Sequence, residues 1–493
     1  MLGRLMVEHI DVLIVGAGLS GVGAAHHLRA WCPELNYSIL EARDAIGGTW
    51  DLFRYPGVRS DSDMYTLGYG FRPWTGAEAI AQGPAIRDYV RETAREGGIE
   101  ARIRTGHRVK RASWSTADAR WTVEAERTDT GELVGFTCNF LHMCSGYYDY
   151  AAGHSPEFAG AEAFAGRIVH PQFWPDDLAY EGKRVAVIGS GATAVTLVPA
   201  MARTAAHVAM MQRSPTYMVS RPSRDAFADR LRRHAPARIA YKIVRWRNVL
   251  LQMFFFALAR RRPAAMKRRF IDGVRGLLPP GYDVETHFTP RYDPWDQRLC
   301  LVPDADLFEA IGAGRASVVT GEIDRFVADG IRLASGETIA ADIIVTATGL
   351  KLQLLSGIEF TIDGETRDLS RAMSYKGMMF GDVPNLSYTF GYTNASWTLK
   401  ADLVAGYLCR LLDHMRRSGA QIAIPRGDAS VAEAPLLEFT SGYVQRARDV
   451  LPKQGTTKPW KLHQNYALDL ANFKFGRVED GVMEFAGRKR RAR

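Results

Sequence analysis

The sequence predicts an α/β protein with two strand-turn-helix nucleotide folds, the second inserted into the first and itself interrupted by helices. Three observations predict it. Glycine-rich turns occur at Gly16 to Gly21 and again at Gly189 to Ala194, each directly after a short apolar run. Two further apolar runs, Phe140 to Cys144 and Asp342 to Gly349, end in small residues, as strands do where a chain crosses between folds. Finally, 493 residues at 46% hydrophobic and 24% charged suffice for two or three domains with their own cores.

The first turn has the context that makes such a motif meaningful. Asp11 to Val15 reads as a buried strand, Gly16, Gly18 and Gly21 follow, and Val22 to Leu28 has helical composition. A second strand, Ser38 to Leu40, ends in Glu41. Glycines let backbone amides approach a pyrophosphate at the positive helix N-terminus, and a carboxylate at Glu41 can accept ribose hydroxyls. Gly47-Gly48-Thr49-Trp50 extends the signature into the longer pattern of flavoproteins with two dinucleotide sites, which makes FAD the expected occupant. The expected contact set is Gly16, Gly18, Ser20, Gly21, Glu41, Gly48, Thr49, Trp50, Asp51, Leu52 and Val109.

The second turn follows the strand Arg184 to Ile188 and comprises Gly189, Ser190, Gly191, Ala192, Thr193 and Ala194, with Val195 behind it. Alanine at the third glycine position is a permitted variant. The next strand, His207 to Gln212, runs into Arg213 and Ser214, so a guanidinium stands where the first fold has a carboxylate. Arginine binds a 2′-phosphate through forked, charge-assisted hydrogen bonds, whereas a carboxylate repels it. NADPH is expected here in preference to NADH.

These readings divide the chain into a FAD fold at 1–150 and 350–493 and an NADPH fold at 151–216 and 297–349, with a basic, aromatic, mostly helical insertion at 217–296. The net charge is +9, concentrated in Arg260 to Arg262, Lys267 to Arg269 and a basic tail, Arg488 to Arg493. No aromatic-interleaved basic surface accompanies it, so nucleic acid is not an expected partner. Five cysteines without C-x-x-C spacing indicate neither a disulfide framework nor a zinc site, and a cytoplasmic location is expected. No metal ligand set is apparent. The apolar run Val249 to Ala259 falls short of the ~20 residues that span a bilayer. It reads as a buried or partner-packed helix, with peripheral membrane contact or self-association through 243–270 as the other reading.

Between the two turns, Phe164 to Asp176 reads Phe-Ala-Gly-Arg-Ile-Val-His-Pro-Gln-Phe-Trp-Pro-Asp. With Arg54-Tyr55-Pro56-Gly57, Trp295-Asp296-Gln297-Arg298 and Gly391 to Trp397, it makes the chain resemble the type I Baeyer-Villiger monooxygenases over nearly its whole length. Their fingerprint is F-x-G-x-x-x-H-x-x-x-W-P-[DH], and related heteroatom-oxidising enzymes lack the tryptophan and proline. The resemblance implies that NADPH reduces FAD, that dioxygen adds at flavin C4a, and that the peroxyflavin attacks a ketone to give an ester or lactone. It implies further that Arg298 stabilises the anionic species, an effect of about 3 to 4 kcal/mol per donor in comparable sites. Asp61 would orient Arg298, Arg59 and Ser60 would lie near flavin and nicotinamide, and His170 would support catalysis by positioning the NADPH fold. Many relatives carry lysine where Gln297 stands, which leaves more of the 2′-phosphate binding to Arg213.

The implied substrates are O2 and a small apolar ketone or a sulfur compound such as a thioamide or thioether. Among the aromatic residues Tyr65, Tyr147, Tyr388, Tyr392 and Trp397, some would line the pocket and others pack the core. Two alternatives stay open: a flavin-containing monooxygenase oxidising N or S heteroatoms, and a non-oxygenating NADPH/FAD redox sensor or scaffold. A disulfide reductase is disfavoured, since no C-x-x-x-x-C pair follows Gly47-Gly48.

Overall fold

The structure, a computed structural model, describes residues 8–297 and 299–487. Arg298 and the basic tail from Arg488 lie outside the described residues. The first sheet grows around the strand Glu8–Val15, whose Val12 to Val15 are buried because parallel neighbours and helices cover both faces. Tyr37–Leu40 and Leu133–Met143 flank it in parallel, with Val15 opposite Leu40 on one side and Met143 on the other. The expected strand at Phe140 is therefore the last part of a longer one. Its first half pairs antiparallel with Arg120–Arg127, which pairs antiparallel with His107–Ser115.

The returning chain completes this sheet. Glu359–Ile362 pairs with His107–Ser115, and Leu386–Tyr388 pairs with the end of Leu133–Met143. The 22-residue helix Trp397–Ser418 then lays Leu403, Val404, Tyr407, Leu408 and Leu411 into the same core as Val22, Ala25 and Leu28 of the helix Leu19–Trp31. Residues far apart in sequence thus share one hydrophobic core.

The second sheet has five parallel strands in the order Ala316–Thr320, His207–Gln212, Arg184–Ile188, Ile343–Thr346 and Arg167–Val169. Val185, Val187, Val195, Val208, Met210 and Val345 fill its core together with Leu307 and Phe308. Where the chain passes between the sheets, Tyr148–Gly153 and Leu350–Leu352 pair antiparallel, so both crossings form one two-stranded ribbon.

The segment between 217 and 296 is mostly helical, yet it opens with a strand, Met218–Arg221, paired to Cys300–Pro303. The run Val249 to Ala259, expected as a buried or partner-packed helix, is helical but only partly buried. These residues are the last turns of a 25-residue helix, Ala237–Arg261, which Pro263 ends by disfavouring the α conformation before it. Only one face is buried, at Ala240, Tyr241, Val244, Arg245, Asn248, Val249 and Ala259, while Leu250 and Phe254 are each 59% exposed. Among the described residues, no helix is long and apolar enough to cross a membrane.

Candidate active site

The first turn is shaped by positions that only glycine satisfies. Gly16 has φ +106°, and a Cβ there would lie 2.5 Å from the Cys144 carbonyl oxygen. At Gly21 a Cβ would lie 1.9 Å from the Gly16 carbonyl oxygen. The helix Leu19–Trp31 begins at Gly18 without a side-chain cap, leaving its first amides to an anion. Gly48, at φ +57°, packs against Gly18, where a Cβ would meet the Gly18 Cα at 3.0 Å. Two glycine segments therefore pack directly against each other at the start of the helix Leu19–Trp31. Glu41 closes the far side: it is buried and accepts from the Ala17 amide at 2.7 Å and the Arg43 amide at 3.0 Å. Burial pushes its pKa up, and those two amides oppose the shift.

Around this cradle the remaining expected residues take distinct positions. Asp51 is buried and held by Arg43 at 2.6 Å and Arg91 at 2.8 Å. Thr49 lies 3.4 Å from the Tyr150 hydroxyl, Trp50 and Leu52 pack inward, and Val109 joins the core beside Val15 and Leu40. Ser20, in the first helical turn, accepts from the Trp397 indole N–H at 2.7 Å. That indole stacks on Tyr147 at 5.1 Å, and Phe390 completes an aromatic wall. Tyr65 and Tyr388 are buried, so core packing accounts for them; Tyr392 is buried too, its hydroxyl donating to Asp469.

The second turn is more open. Gly189 has φ +139°, and a Cβ there would lie 2.3 Å from the Ala347 carbonyl oxygen. At Gly191, the N-cap of Ala192–Met201, a Cβ would meet nothing within 4 Å. Ala194 and Val195 are buried behind it. The Ser190 hydroxyl donates to the Ser214 carbonyl at 3.2 Å, which ties the turn to the strand end where Arg213 and Ser214 are exposed. No ion pair among the described residues engages Arg213.

A seam joins the two folds. The Tyr55 side chain is buried beside Thr193 of the second turn, and burial pushes its pKa up to about 12. Gly57 sits so close to the helix Ala192–Met201 that a Cβ would lie 2.7 Å from that of Ala200. Arg59 makes a two-pronged pair with Asp306, on the helix Asp306–Gly312 of the second fold. Ser60 is buried with its hydroxyl accepting from the Ser62 amide, and Asp61 is exposed beside it. On the other side, Thr440 donates to the Asp296 carbonyl, and the Cys300 thiol donates to the Ser190 carbonyl at 3.8 Å. Cys300 thus touches the second turn, whereas Asp296 contacts the returning part of the first fold.

His170 lies at the ribbon, not in the seam. Its Nδ1 accepts from the Gln172 amide at 3.2 Å, which leaves Nε2 as the donor to the Gly349 carbonyl at 3.4 Å. Gly153 is pressed against the ring, where a Cβ would meet Cε1 at 2.1 Å. Burial lowers the histidine pKa, so the neutral ring is favoured. The fingerprint strand Arg167–Val169 is the edge of the second sheet, and His170 links that edge to both crossings.

Comparison with known proteins places this architecture. A family model described as flavin-binding monooxygenase-like matches residues 82–246, and one for an NAD(P)-binding Rossmann-like domain matches residues 14–93. The FAD-containing monooxygenase EthA of Mycobacterium tuberculosis is 55% identical over 485 residues, covering 98% of this chain and 99% of its own. The chain belongs to the FAD-containing monooxygenases. Among solved structures, an oxidised steroid monooxygenase bound to NADP matches with a TM-score of 0.77 at 23% identity, covering 97% of this chain and all of its own. An open cyclohexanone monooxygenase matches with a TM-score of 0.76 at 19% identity, covering 98% of this chain and 100% of its own.

Several residues that organise this monooxygenase carried no sequence signal. Asp306, the partner of Arg59, is 247 positions away in a stretch without a motif. Arg91, which holds Asp51, lies in the amphipathic helix Gly83–Glu96, where an exposed arginine is ordinary. Tyr55 belongs to a string that marks the family, but its contact with Thr193 required the folds to be docked.

Proposed function

We propose that this monooxygenase uses NADPH and O2 to insert one oxygen atom beside the carbonyl of an apolar ketone, giving an ester or lactone, and also oxygenates sulfur in thioamides or thioethers. The seam is the observation that carries this reading. Tyr55 beside Thr193 and Arg59 paired with Asp306 join the segment that carries Ser60 and Asp61 to the second fold, and Cys300 touches the second turn. FAD, when bound, supplies the activation of dioxygen with electrons from NADPH. The amides at Gly16 to Gly21 hold its pyrophosphate and Glu41 its ribose. Gly189 to Ala194 do the same for NADPH, with Arg213 and Ser214 taking the 2′-phosphate.

Arg298 would supply a permanent positive charge for the negative charge that develops as oxygen adds to the carbonyl, with Asp61 as its orienting carboxylate. His170, as a positioning residue, couples the fingerprint strand to the ribbon. The stacked Tyr147 and Trp397 offer an apolar wall beside the first turn, which suits a ketone without charge. The fingerprint's Trp174 and Pro175 favour ketone oxygenation over oxidation confined to heteroatoms. The test separates the two half-reactions in Arg298→Ala. Flavin reduction by NADPH should persist while ester formation falls at least about a hundredfold; ester formation near the wild-type rate would remove Arg298 from the reaction.

A further inference from the structure

We propose that the helix Ala237–Arg261 is a docking surface for an anionic lipid bilayer, lying flat in the headgroup region. Ile239, Ile243, Trp246, Leu250 and Phe254 follow one another at spacings of three and four, so they form a single stripe, and all five are exposed. The opposite face is fixed to the protein. Arg245 donates to the carbonyls of Tyr65, Thr66 and Gly68, Tyr241 donates to the Tyr69 carbonyl, and Asn248 donates to Asp63. The stripe is therefore held outward on a rigid support; Tyr466 edges Trp246, with ring centroids 5.9 Å apart, and Trp246 stays exposed.

Charge decides what would cover it. Residues 230–271 contain thirteen Lys and Arg and no Asp or Glu, so this stretch alone exceeds the +9 of the whole chain. Arg238, Lys242, Arg261, Arg262, Arg268 and Arg269 are exposed, and no ion pair among the described residues engages them. A second copy docking through the same helix would bring these like charges together. An anionic bilayer attracts them and buries the stripe at once, with Trp246 suited to the headgroup boundary. The helix lies on the membrane and does not cross it. The inference does not depend on which reaction the enzyme performs.

The experiment is co-sedimentation of the FAD-loaded full chain with phosphatidylcholine vesicles, and with vesicles of two parts phosphatidylcholine to one part phosphatidylglycerol. Wild type should sediment with the anionic vesicles, less at high salt, and only weakly with the neutral ones. Two surface variants, Leu250→Glu with Phe254→Glu and Lys242→Glu with Arg261→Glu, should each lower the bound fraction at least about tenfold. Their flavin content and NADPH oxidation in solution should match wild type, which shows that they fold. Failure of wild type to bind, or equal binding by the variants, would overturn the proposal. So would a wild-type dimer in sedimentation velocity that Leu250→Glu with Phe254→Glu abolishes, without vesicle binding, because the face would then belong to a second copy.

Discussion

At Gly16 two constraints coincide: the backbone lies at φ +106°, and a Cβ would lie 2.5 Å from a carbonyl oxygen of the neighbouring strand end. Gly16→Ala must shift the turn, at a cost of about 1 to 3 kcal/mol for the backbone conformation alone. The purified variant should retain less than about a tenth of the wild-type flavin, read from its visible absorbance; full flavin would show that the turn does not hold the pyrophosphate. Arg213 is the matching residue in the second fold, exposed at a strand end beside the open turn. Arg213→Ala should raise the KM for NADPH by about tenfold or more and that for NADH by less than about twofold. Equal effects on both coenzymes would contradict the phosphate assignment. Both positions are legible in the sequence, because a glycine turn after a strand and a basic residue after the next are local patterns. Asp306 is not legible in this way, since its pairing with Arg59 exists only once two distant segments are docked.

Among the elements, the seam and the ribbon have different duties. Arg59→Ala removes the two-pronged pair with Asp306 but leaves the first cradle intact. Flavin content should stay at wild type while the rate of flavin reduction by NADPH falls about tenfold, measured by stopped-flow absorbance. A loss of flavin instead would place Arg59 in the FAD cradle and not in domain docking. The strands at Arg184 and His207 coincide with the sequence expectation, since buried parallel strands are continuous apolar runs with clear ends. Leu133–Met143 is longer than its apolar core because its first half pairs antiparallel and tolerates polar residues on one face. Val249 to Ala259 misleads for a related reason: eleven apolar or neutral residues look like a core helix, yet one face of the real helix stays exposed.

Over the whole molecule, the insertion of one fold into another makes buried groups from distant segments depend on each other. His142, fully buried in the strand Leu133–Met143, hydrogen-bonds Ser387 at 2.7 Å, and burial lowers its pKa to about 4. The unfolded chain binds this proton near pH 6.5, so below that pH it holds more protons than the folded chain. Stability should therefore fall as pH drops from about 6.5 towards 4, by up to about 3 kcal/mol from this residue. His142→Gln should flatten that part of the pH dependence of the urea midpoint; an unchanged slope would mean that His142 does not titrate across unfolding. The two-fold architecture was legible because each fold carries its own local turn. The docking of the folds was not, because it is set by contacts such as Tyr55 with Thr193 that no local pattern announces.

The activity proposed for this FAD-containing monooxygenase is insertion of one oxygen atom from O2 beside a ketone carbonyl. Its most direct test is to supply the FAD-loaded enzyme with NADPH, isotopically heavy dioxygen and a panel of aliphatic ketones together with a thioether, and to analyse the products by mass spectrometry. The expected products are esters or lactones carrying one heavy oxygen atom, alongside labelled sulfoxide. Labelled sulfoxide without any labelled ester, or NADPH consumption that yields only hydrogen peroxide across the panel, would contradict it.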